Sequence, residues 1–114
     1  MESVLTTIKK MLGIAADYTH FDSDIIVHIN SVLMTLNQLG VGPETPAFIG
    51  SDMDTWDKIL GDITNLEAVK TYIYLKVRLL FDPPTSSFVV DSINRQASEL
   101  EWRLNVQAET NKEE

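Results

Sequence analysis

Cysteine is absent from this 114-residue chain, histidine occurs twice, and no apolar run approaches the 18 or more residues that cross a membrane. Without thiols there is no disulfide framework and no thiolate chemistry, so the chain must fold without a covalent staple. Glu2 stands ahead of the first amphipathic run, where a secretory leader carries basic residues; the expectation is a soluble protein that stays inside the cell that makes it. Basic residues are also scarce. Nine Lys and Arg against 17 Asp and Glu leave a formal net charge of -8. Nonspecific gripping of nucleic acid through phosphate neutralisation is therefore disfavoured.

Catalytic signatures are missing too: the chain contains no GxSxG, HExxH, P-loop or GxGxxG. His20 and His28, with Asp17, Asp22 and Asp24, supply N/O donors that could be arranged around a metal. Only Asp24 and His28 share an i,i+4 face, however, and loop acids with a helix cap account better for the set. Asp52, Asp54 and Asp57 begin like a calcium loop. The spacing is wrong, no glycine occupies the sixth position, and Ile63 stands where a bidentate glutamate belongs. These absences point to a protein with no catalytic residues, no metal and no cofactor.

What is present is helical periodicity. At 44% hydrophobic residues the chain is expected to form one domain that buries roughly two-thirds of its unfolded surface. Val4, Leu5, Ile8, Met11 and Leu12 share one face of a first helix, with Thr6, Lys9 and Lys10 opposite, Ser3 as its cap and Gly13 at its end. After the loop GIAADYTHFD, Asp22 or Ser23 can cap a second helix whose stripe is Ile25, Ile29, Val32, Leu33, Leu36 and Leu39, stopped by Gly40. Val27 and Met34, seven residues apart on its back, are either scattered surface residues or a contact site. The connection from Gly40 to Gly50 carries two prolines, and its Phe48-Ile49 pair is expected to tuck onto the bundle. Asp52 and Asp54 then favour the start of a short third helix bearing Met53, Trp56, Ile59 and Leu60.

The chain is organised around Asn65 to Gln107. Leu66, Val69, Tyr72, Ile73, Leu75, Val77, Leu79 and Leu80 cover an arc of roughly 200°, about twice what a surface helix needs, so this helix should touch neighbours on two sides. Asn65 caps it and Asp82-Pro83-Pro84 ends it. Lys76 projects from within the apolar arc, where an unpaired ammonium is costly. Its stem snorkels, it pairs inside the monomer, or it meets an acid on another subunit. A fifth helix, capped by Thr85, Ser86 or Ser87, buries Val89, Val90, Ile93, Ala97, Leu100 and Leu104, a stripe that favours folding back along the fourth. Phe88, Arg95, Trp102 and Val106 lie on its other side. Either the 40–50 loop covers Trp102 or a partner does. The expected architecture is an all-α bundle of four to five helices, with long central and C-terminal helices joined by a Pro-Pro hinge. Residues 1–107 form the domain and 108–114 a flexible acidic tail.

The run YIYLKVRLLFDPPTSSFVVDSINRQASELEWRLN, from Tyr72 to Asn105, resembles the head-tail connector (adaptor or head-completion) proteins of long-tailed bacteriophages. The likeness extends over nearly the whole chain, through a first helix ending in LGI and a loop leading to FDSDII, and is most specific in YLKVRLLFDPP followed by ELEWRL. The resemblance implies a helical structural protein that assembles as a ring, typically of twelve subunits, beneath the portal vertex. Such a ring extends the DNA channel, passes DNA as nonspecific cargo and docks further head-completion or tail proteins. It also implies a virion location, assembly from a bacterial host's cytoplasm and no membrane contact. The resemblance names no portal-facing side chains; the candidates for contacts to other subunits are Val27, Met34, Lys76, Phe88, Arg95, Trp102 and Val106. An acidic helical regulator that binds a host factor or mimics DNA is the other reading, and would concentrate acids on one face.

Overall fold

The helix with the widest apolar arc is the one the rest of the chain covers. The computed structural model describes the backbone of residues 2–113 and the side chains of residues 2–111. It contains α1 (Val4–Met11), α2 (Asp22–Gln38), α3 (Trp56–Leu60), α4 (Leu66–Phe81) and α5 (Ser87–Glu113). α4 packs against both α5 and α2, and α1 packs against α2 and α4. Val69, Tyr72, Ile73 and Val77 are accordingly sealed from solvent, which an arc open to one neighbour would not permit. The fold is an all-α bundle; among the described residues the only extended pairing is an isolated bridge between Ser3 and Thr55.

Local chemistry sets the helix ends. The Thr6 N–H donates to Ser3 Oγ at 3.0 Å, and Gly13, at φ 84°, takes the left-handed turn after α1 that other residues adopt only under strain. α4 stops at Phe81 because Asp82, ahead of Pro83, leaves the helical region (φ -142°, ψ 67°). α5 then returns antiparallel along α4: Tyr72 Oη donates to Glu101 Oε2 at 2.8 Å, and Asn105 Nδ2 donates to the Leu39 carbonyl at 3.2 Å. The boundary expected at residue 107 does not interrupt α5, which continues helical to Glu113. Glu114 lies outside the described residues.

Several expectations are corrected. Lys9 does not face solvent with Thr6 and Lys10: its side chain is 2% exposed. The 13–21 loop folds over it and supplies acceptors, Ala16 O at 3.1 Å and Tyr18 O at 2.7 Å, while Asp22 Oδ1 lies at 2.8 Å. Asp22 is consequently committed to Lys9 and does not cap α2; Phe21 holds the cap position without a side-chain bond. Asn65 occupies the cap position of α4, again without one. Met53 lies outside the third helix and is 75% exposed. Asp54 explains this, because its carboxylate closes a turn with the Gly50 N–H at 2.7 Å while its carbonyl accepts from the Val4 N–H at 2.9 Å, delaying the helix until Trp56.

The Phe48-Ile49 pair divides. Ile49 is buried, clamped by Asn30, whose Nδ2 donates to its carbonyl at 3.0 Å and whose Oδ1 accepts its N–H at 2.8 Å. Phe48 is left exposed. Leu80 and Val89, expected in the core, are exposed as well, because they flank the turn between α4 and α5 and no further layer covers them.

Candidate assembly surfaces

α5 presents two faces of opposite character. Ile93, Ala97 and Leu104 are buried against the bundle, and at 100° per residue Phe88, Arg95, Trp102 and Val106 point the other way. Phe88 is 76% exposed and Trp102 67%, so the 40–50 loop does not cover the indole. Arg95 has no ion pair among the described residues, whereas its neighbour Arg103 is 2.6 Å from Glu99. Val27 and Met34 are also exposed, but on α2, whose main neighbours are α4 and α1. The structure therefore brings four of the seven candidate contact residues onto one face and leaves these two elsewhere.

Lys76, the seventh, is half-buried on α4, one turn beyond Tyr72, with no ion pair among the described residues. One turn before it, Tyr72 donates to the Glu101 carboxylate of α5. Burial first, and then the Glu101 carboxylate, push the Tyr72 phenol well above its ordinary 10.0. A folded-state pKa raised in this way contributes stability that is complete below pH of about 10 and is lost as pH rises towards the folded value. The parent should be about 1 kcal/mol more stable than Tyr72→Phe at pH 8, an advantage that shrinks steadily above pH of about 10. Urea midpoints for both proteins from pH 8 to beyond about pH 10 check it, and curves that stay parallel above that pH would disprove the assignment.

A further surface feature is illegible as periodicity because it comes from a loop. Leu12, Ile14, Phe21, Phe81 and Asp82 line an open cleft of about 380 Å³. Phe21 and Phe81 meet edge-on at 5.3 Å between centroids, and His20 packs on Phe21 at 4.7 Å. His28 faces Phe81 at 6.4 Å, so both histidines serve this aromatic cluster. The sequence signal for it was the crowding of Tyr18, His20 and Phe21 into four residues of loop. Among the described residues no group of three or more His, Cys, Asp or Glu comes together, and no helix is long and apolar enough to cross a membrane.

No curated protein and no solved structure matches the chain. Its family is nevertheless clear. Residues 4–111, from the start of α1 almost to the end of α5, match the family described as "Phage connector protein". A match of that extent takes in the core helices, the loop cleft and the outward face of α5 alike, and the chain belongs to the phage connector protein family.

Proposed function

We propose that this protein is a head-tail connector of a long-tailed phage, made in the bacterial host's cytoplasm and built into the virion as a twelve-subunit ring beneath the portal. There it extends the DNA channel and links the head to the tail. The observation that carries this reading is the family match over residues 4–111, since connectors are structural proteins that assemble with other head and tail components. Ring closure requires two unlike contact surfaces on each subunit. The α5 face with Phe88, Arg95, Trp102 and Val106 supplies one candidate; Val27 and Met34 on α2, and Lys76 reaching towards an acid of the next subunit, supply others. A net charge of -8 suits a channel wall along which DNA slides without sticking.

Light scattering and negative-stain imaging of the protein, alone and with the purified portal ring of its phage, test the reading. Annular assemblies, or a ring formed only on the portal, are the expected results. A chain that forms no ring and binds no portal overturns it.

A further inference from the structure

The apolar cleft and the exposed indole carry a more specific consequence, which rests on the ring reading above. We propose that Trp102 of one copy seats in the cleft formed by Leu12, Ile14, Phe21, Phe81 and Asp82 of the next, making this the heterologous contact that propagates the ring. The two surfaces are chemically matched. Four of the five cleft residues are apolar, and the fifth, Asp82, is an exposed carboxylate with no ion pair among the described residues. A purely aliphatic occupant would strand that carboxylate, whereas an indole brings a large apolar body and one N–H donor that needs an acceptor once buried.

Trp102 is the side chain with those properties left unused. Of the two tryptophans, Trp56 is sealed in the core with its N–H donated to Thr7, while Trp102 is 67% exposed and its N–H has no partner among the described residues. Charge points the same way. Arg95 lies two helical turns from Trp102 on the same face, about 10 Å along the axis, and has no ion pair among the described residues. Asp17, exposed in the 13–21 loop that walls the cleft, is the acid it would meet. On a chain of net charge -8, such a placement offsets the repulsion that copies otherwise feel. Within one subunit Trp102 points away from the core stripe of α5, so it remains free for another copy.

A head-to-tail contact has a signature that an isologous one lacks. Trp102→Ala removes the knob without touching a packed residue; Ile14→Glu spoils the cleft, and Asp82→Lys repeats that second test at an exposed position should the glutamate disturb folding. Each variant alone, full-length and checked for unchanged helicity, should associate on the order of 30-fold more weakly than the parent, alone or on the portal. Mixed in equal amounts, a knob-less and a cleft-less variant retain one intact knob and one intact cleft between them. They should form a dimer and nothing larger by sedimentation velocity. Trp102→Ala assembling as the parent does, or a mixture that stays monomeric, overturns the contact while leaving the connector role standing. A parent that associates neither with itself nor on the portal overturns both.

Discussion

Lys9→Ala should lower stability by about 3 kcal/mol and the melting temperature by about 10 °C, although lysine at a helix surface is ordinarily dispensable. The ammonium donates to Tyr18 O at 2.7 Å and Ala16 O at 3.1 Å, and forms an ion pair with Asp22 Oδ1 at 2.8 Å. It thereby joins α1, the 13–21 loop and the first turn of α2 at one point. Removing it strands a partly buried carboxylate and two carbonyls, and breaking such a pair costs far more than forming it gains. Asp22 is a quarter exposed and can draw in water, which places the effect at the low end of the range for buried pairs. Lys9→Met keeps the packed stem and should still lose most of this stability. Adding Asp22→Leu to Lys9→Met should restore part of it, because the second change removes the stranded charge. Thermal unfolding of the three variants settles the matter; a Lys9→Ala protein melting within about 2 °C of the parent would contradict the buried network.

The same residue marks where sequence periodicity stops being informative. α4 and α5 were legible because their chemistry is local: a wide apolar arc demands neighbours on two sides, Pro83 ends a helix, and a narrow stripe directs α5 back onto α4. Trp102 and Phe88 fell opposite that stripe by arithmetic alone, and both are exposed. Lys9 failed because a helical wheel places side chains around one axis and is blind to what a following loop folds over them. Asn30 escaped for a similar reason. Its clamp on Ile49 spans 19 residues and substitutes a side-chain amide for a strand partner, a pairing with no period. The cleft combines both difficulties, being walled by the end of α1, a loop and the end of α4. The candidate contact surface was thus visible on its protruding side and invisible on its receiving side.

The largest loss of all is expected from Trp56→Ala, about 4 kcal/mol, since Trp56 is fully buried and truncation leaves a cavity the size of an indole beneath several elements at once. The side chain couples the short α3 to the N-terminus. Its Nε1–H donates to Thr7 Oγ1 at 2.9 Å, and the Thr7 hydroxyl in turn donates to Ser3 O at 2.8 Å or to Glu2 Oε1 at 2.6 Å, having one hydrogen for two acceptors. Lys70 Nζ lies 5.7 Å from the ring centroid on its α4 side. Thr7→Val separates packing from hydrogen bonding, because it keeps the shape and deletes the acceptor; leaving a buried indole N–H unpaired should cost about 1–3 kcal/mol. In a Trp56→Phe background the same Thr7→Val change should cost clearly less, since no donor remains to be stranded. Trp102→Phe leaves Trp56 as the single tryptophan, so indole emission excited selectively reports the core directly during urea unfolding. A Thr7→Val penalty of equal size in both backgrounds would mean that the hydroxyl stabilises α1 only through Ser3 and Glu2, and that Trp56 holds its place by packing alone.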